Sequence, residues 1–222
     1  MARGVTVGHC LGTVSAPAAT AELWFAWVGE RAGDAERYAR ELLSEEERQH
    51  LDGYRIRDAA ERYVVTRALI RSVLSDRLGI AAPDIRVSRT DTGKPVVTEG
   101  IHFNVSHSGE LVLLAISEER PVGVDVERKR LVLKVQALAQ RWLSDGERIN
   151  LAKLRELGID ESDSFLRIWS LKEAQLKALG VGISGASRAE LHRVHVLPLD
   201  EHLDAMAGPR DGGGYVGAIA FA

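Results

Sequence analysis

Three acids in two short motifs carry the chemistry of this chain: Asp125 and Glu127 in Gly123-Val124-Asp125-Val126-Glu127, and Glu173 in Trp169-Ser170-Leu171-Lys172-Glu173-Ala174. Val122 to Glu127 alternates small or apolar residues with acids as a strand does, so Asp125 and Glu127 project from one face. Glu173 lies in 165–179, where Phe165, Ile168, Trp169, Leu171, Leu176 and Leu179 recur at mostly helical intervals. A helix therefore presents the third acid, with Lys177 one turn further on. Three hard oxygen donors with no neighbouring cysteine suit Mg²⁺, which keeps several waters and takes its other ligands from substrate phosphates. Lys172 and Lys177 supply positive charge of the kind that steadies a pyrophosphate while one of its bonds breaks. Taken singly, each motif also fits a solvated strand face or a charged helix surface.

Taken together, the two motifs match Gly-[Val/Ile]-Asp-x-Glu and Trp-x-x-Lys-Glu-Ala, and two more precede them in order. These are Gly93-Lys94-Pro95 and Phe103-Asn104-Val105-Ser106-His107-Ser108. The chain thereby resembles the 4'-phosphopantetheinyl transferases of the larger, surfactin-synthetase-activating type, from about Ser44 to Gly182. The resemblance implies transfer of the 4'-phosphopantetheine arm of coenzyme A to a serine hydroxyl of an apo acyl or peptidyl carrier protein, releasing adenosine 3',5'-bisphosphate. It implies Mg²⁺ held by Asp125, Glu127 and Glu173, and Lys177 on the same phosphates. Glu173, directly or through a metal-bound water, would accept the serine proton, with Lys172 alongside to position or polarise. His107, with Ser106 close by, would hold the 3'-phosphate, and Lys94 would lie along the nucleotide. One departure stands out. Where relatives often carry lysines after the Ser44 cap, this chain has Glu47 and His50, leaving Arg48, Arg55 and Arg62 as candidate replacements.

Two other readings compete. A catalytically inactive homologue would bind coenzyme A or a carrier protein without transferring anything, but the set Asp125, Glu127, Lys172, Glu173 and Lys177 is intact. A different Mg²⁺-dependent phosphotransferase is disfavoured by the lack of a phosphate-binding Gly-x-x-x-x-Gly-Lys-[Ser/Thr] loop or any kinase motif.

The elements that must position these residues form an α+β layout rather than alternating βαβ units. Ser44 with Glu47, and Ser144 with Glu147, are capping boxes that open helices. A long helix is predicted over 58–78, closed by Gly79. Strands are predicted over 23–28, 85–89, 102–106, 111–117 and 122–127. The second part continues with helices over 132–142 and 147–157, the Trp169 helix, and strands over 193–197 and 215–221, the last led in by Gly212-Gly213-Gly214. A charged turn at 118–120 divides the chain into halves 1–119 and 120–222, the second carrying the metal motifs. The resemblance implies that the halves are similar, related by a pseudo-twofold, with the active site in the cleft between them. The first twenty residues read as a loosely ordered lead-in. Their apolar stretch is broken by Gly8, His9 and Gly12, with only Arg3 ahead of it, unlike a secretory signal.

With 222 residues, 45% hydrophobic and 27% charged, the chain can bury a sizeable core. A net charge of −3 argues against nucleic acid as a partner. A single cysteine, Cys10, excludes an intrachain disulfide and fits a reducing compartment. No run approaches the roughly 20 apolar residues of a membrane span. The expectation is a cytoplasmic monomer with neither a nucleic-acid nor a membrane partner. Part of the basic segment Arg128, Lys129, Arg130, Lys134 and Arg141 is expected to dock an acidic carrier protein.

Overall fold

A computed structural model describes residues 7–17, 19–98, 100–182, 188–204, 206 and 214–222; Arg3, Gly212 and Gly213 lie outside them. Backbone contacts divide the chain into units Met1–Glu119 and Arg120–Ala222.

In the first unit, strands β1 (His9–Ala16) and β2 (Ala19–Trp27) form a hairpin followed by helices α1 (Val28–Arg31), α2 (Ala35–Glu41), α3 (Glu45–Leu51) and α4 (Arg57–Leu78). A two-stranded ribbon, β3 (Ser88–Arg89) with β4 (Pro95–Val96), precedes β5 (His102–Ser108) and β6 (Leu111–Ser117). The main sheet is antiparallel in the order β1-β2-β6-β5. Alternate residues of β6, Val112, Leu114 and Ile116, pack with Val65, Ala68 and Leu69 of α4 in one core, which also takes the fully buried Tyr38 of α2. α4 ends where Gly79 turns left-handed at φ 67°, a conformation that favours glycine.

The second unit contains β7 (Val122–Arg128), α5 (Val135–Trp142), α6 (Asp145–Glu156), α7 (Glu161–Leu179), α8 (Arg188–Leu191), β8 (His195–Pro198), α9 (Asp200–Asp204) and β9 (Tyr215–Phe221). Its sheet is antiparallel in the order β7-β9-β8. α7 starts at Asp160, whose carboxylate accepts the N–H groups of Ser162 and Asp163 at 2.8 and 3.3 Å, and stops at left-handed Gly180. Phe165 and Ile168 join Val135 and Ala139 of α5, Leu143 just beyond it and Leu151 of α6 in a core; Trp169 stacks on Phe165 at 6.0 Å. Each unit is thus a sheet covered by a long helix, and the two-half α+β architecture expected from the sequence is present.

Three sequence expectations change. The supposed lead-in is strand β1: as an edge strand it buries only Val14, so it lacks the alternating pattern of a half-buried strand. The strand expected over 85–89 shrinks to Ser88–Arg89, because a 3-10 turn occupies Ala82–Asp84 just before it. The helix expected from 132 begins at Val135, after Lys134 takes a left-handed conformation at φ 58°. Among the described residues no helix is long and apolar enough to cross a membrane.

Candidate active site

Gly123 is what allows β7 to meet α7. A Cβ on it would lie 2.1 Å from the carbonyl oxygen of Ala174 and 2.2 Å from the amide nitrogen of Ala178, so only hydrogen fits there. Asp125 and Glu127 follow on the same strand face and therefore point toward the helix that carries Glu173 and Lys177. Lys177 Nζ donates to Asp125 Oδ1 at 2.6 Å, and Asp125 is only 5% exposed. Glu127 accepts Arg130 at 2.7 Å. Burial pushes the Glu173 carboxyl above the usual carboxylate range; the nearby charge of Lys177 opposes this, Asp125 and Glu127 add to it, and Lys172 opposes it. The three acids thus share one electrostatic neighbourhood.

Among the described residues no three carboxylates, imidazoles or thiols already sit at ligating distance from a common point. The ammonium of Lys177 and the guanidinium of Arg130 supply the positive charge beside the acids instead. The donor set, all carboxylate oxygens drawn from a strand and a helix held backbone to backbone, fits a hard divalent cation. Lys172 turns elsewhere. The residue is only 8% exposed, and its ammonium donates to Glu147 Oε2 of α6 at 2.9 Å.

The nucleotide candidates lie in the first unit. A cavity of about 670 Å³ is lined by Glu47, His50, Tyr54, Tyr63, Arg67 and Arg89, among others. A second, of about 360 Å³, is lined by Arg62, Thr66 and His107 and shares Tyr54, Tyr63, Arg67, Arg89 and Pro95 with the first. His50, Tyr54 and Tyr63 form a mutual aromatic cluster with ring centroids 5.2 to 5.6 Å apart, and Arg67 stands 5.5 Å over Tyr63. Glu47 is neutralised from α4 by Arg71 and by Arg67 at 3.6 Å.

Of the expected nucleotide ligands, His107 and Arg62 line this cavity system. Ser106 is buried and, as the strand neighbour of His107, projects from the opposite face. Arg48 lies apart: it donates to the Leu43 carbonyl at 2.7 Å and to Glu45 at 2.9 Å, and it lines a separate groove with Arg40 and Arg57. Arg55 is exposed and lines neither cavity. Lys94 follows left-handed Gly93 in the β3–β4 turn, where the Gly93 N–H meets the Thr90 carbonyl at 2.8 Å. Desolvation pushes its ammonium down to about 8. Tyr54, Tyr63, Arg67 and Arg89 were missed in the sequence; the one available signal was Tyr63 and Arg67 at helical i,i+4 spacing on the face turned to Glu47.

In the basic segment after β7, Lys129 lies 3.8 Å from Asp163 and Arg141 stacks 4.6 Å over Trp142. Leu131 and Leu133 are 79% and 71% exposed between these cations.

Residues 33–119 match the family model described as 4'-phosphopantetheinyl transferase, N-terminal, and residues 121–207 match the model of the 4'-phosphopantetheinyl transferase superfamily. The chain belongs to that superfamily. It is 34% identical to the 4'-phosphopantetheinyl transferase Sfp of Bacillus subtilis strain 168, over 64% of this chain and 62% of that protein. It is 34% identical to a phosphopantetheinyl transferase of Thraustochytrium, over 78% and 66%, and 30% identical to the transferase HetI of Nostoc, over 67% and 64%. The chain spans between about half and two thirds of the length of the curated relatives it matches.

Proposed function

We propose that this protein transfers 4'-phosphopantetheine from coenzyme A to a serine hydroxyl of an apo acyl or peptidyl carrier protein. The observation that carries this reading is the acid set Asp125, Glu127 and Glu173 on facing β7 and α7, with Lys177 among them. The serine oxygen bonds to the pantetheine-bearing phosphorus, the bridging P–O bond of the pyrophosphate breaks, and adenosine 3',5'-bisphosphate leaves. The serine proton passes to Glu173, whose half-buried carboxyl is pushed above the usual carboxylate range by desolvation in the metal-free protein. Asp125, Glu127 and Glu173 would hold Mg²⁺, which when bound offsets charge on the pyrophosphate oxygens. Lys177 then exchanges its contact with Asp125 for the phosphates. His107, Arg62, Arg67 and Arg89 bind nucleotide phosphates, Lys94 flanks them, and the Tyr54 and Tyr63 rings offer faces to the base.

The chain is expected to act as a cytoplasmic monomer, without nucleic-acid or membrane partners. The test is incubation with fluorescent coenzyme A, Mg²⁺ and a panel of apo carrier proteins. The expected result is metal-dependent labelling of a carrier serine, absent in Asp125→Asn. Binding of coenzyme A without transfer to any carrier would favour the inactive-homologue reading.

A further inference from the structure

The first turns of α3 and α6 are built alike. In each, a serine side chain accepts the N–H of a glutamate three residues on, and that glutamate accepts the serine N–H: Ser44 with Glu47, and Ser144 with Glu147. In each, the next arginine reaches back to the carbonyl before the cap, Arg48 to Leu43 and Arg148 to Leu143, both at 2.7 Å. The glutamate also accepts a cation from the long helix of its own unit. Glu47 takes Arg71, 24 residues on, and Glu147 takes Lys172, 25 residues on. Arg71 and Lys172 are 3% and 8% exposed, and each stands eight residues before the left-handed glycine that ends its helix, Gly79 or Gly180.

In the first unit this cation is a clamp. Besides Glu47, Arg71 donates to the carbonyls of Ala82 and Ile85, at 2.5 and 3.1 Å. The two copies differ at the following position, which is buried Ser72 in α4 and Glu173 in α7. We infer that Lys172 is the clamp of the second unit: a positioning residue, working through Glu147, that neither takes the serine proton nor touches phosphate. Its ammonium fixes the rotation of α7 against the capped end of α6. Adjacent helical residues point about 100° apart, so locking Lys172 onto α6 directs Glu173 toward β7. The inference bears on the transferase reading, yet half of its test needs no turnover.

That half is hydrogen exchange on the free protein, comparing wild type with Lys172→Arg, Lys172→Met and Glu147→Gln. Lys172→Met and Glu147→Gln should lose protection of the amides in the first turn of α6, while Lys172→Arg, which imitates Arg71, keeps it. In transfer kinetics the same two variants should lower kcat by about a hundredfold, the scale of a misplaced catalytic group, with KM for coenzyme A and the shape of the pH profile retained. Lys172→Arg should restore kcat, and the double variant Lys172→Met with Glu147→Gln should be no worse than Lys172→Met. Full protection of α6 in Lys172→Met, additive losses in the double variant, or loss of one limb of the pH profile would each overturn the clamp. If wild type transfers nothing, the transferase reading fails, and hydrogen exchange still decides the clamp. Should Lys172→Met fail to fold, Glu147→Gln and Lys172→Arg carry the same comparison.

Discussion

Lys177 Nζ lies 2.6 Å from Asp125 Oδ1, so an ammonium neutralises an acid that is almost fully buried. A divalent cation arriving at that carboxylate must displace it, since like charges at such range repel strongly. Lys177→Met should therefore tighten Mn²⁺ binding to the free protein by about tenfold, the worth of one charge-assisted hydrogen bond, while weakening coenzyme A binding in the presence of metal. Titration calorimetry reads both. Weaker Mn²⁺ binding in the variant would contradict the competition, and Asp125→Asn should abolish Mn²⁺ binding outright.

Gly123→Ala sets a methyl group against the α7 backbone, which cannot yield as a flexible side chain would. Overpacking of this kind costs about 1 to 3 kcal/mol. Urea denaturation should report a loss in that range or above it, and transfer should fall further than stability because β7 and α7 are forced apart. Unchanged stability would mean that the strand can slide away freely.

His107 lines the smaller cavity beside Arg62 and Arg67. If it holds the 3'-phosphate, His107→Ala should weaken coenzyme A by roughly tenfold or more while leaving 3'-dephospho-coenzyme A nearly unaffected. A collapsed site would weaken both alike. Equal losses in a direct binding assay would make the histidine structural.

Desolvation holds Lys94 at about 8, below its ordinary 10.5. The folded protein then sheds a proton that the unfolded chain retains, so stability rises with pH between those two values. Lys94→Met should raise Tm at about pH 7, with the advantage shrinking as pH climbs from about 8 toward about 10.5. Melts of wild type and variant across that range test the sign. A pH-independent difference would mean that burial of the charge is not the cause.

Leu131 and Leu133 stand exposed among cations, of which Lys129 and Arg130 are engaged by Asp163 and Glu127. Leu131→Ser with Leu133→Ser should raise KM for the carrier and leave KM for coenzyme A alone. Lys134→Glu should chiefly lower the association rate and its salt dependence. Carrier kinetics unchanged in both variants would exclude a docking role for the segment.

The long elements were legible because their signals are local and redundant. α4 and α7 each combine a long run rich in apolar residues with a terminal glycine, and β6 and β9 match the expected ranges at both ends. β1 was not legible, because an edge strand that buries a single residue, Val14, has too little pattern to read. The acid set could be assembled from one strand alternation and one helix. The direction of Lys172 could not: adjacent residues on a helix diverge, and which of them meets another element depends on packing beyond the window. The same holds for Arg67 and Arg71, which stand among apolar residues of α4 and in space answer Glu47.

The contact at Gly123 also has a bearing on side-chain length. β7 touches α7 there, and the acids further along the strand become less buried with distance: Asp125 shows 7% of its side chain and Glu127 shows 18%. The shorter acid stands nearer the contact and the longer one further out, a gradation of reach suited to a strand leaving a helix. An Asp125→Glu with Glu127→Asp exchange would preserve every charge and every donor type, yet it would reverse that gradation. The acid pair is therefore a matter of span as much as composition, and if it holds a cation, a redesign for a larger one would have to adjust both lengths together.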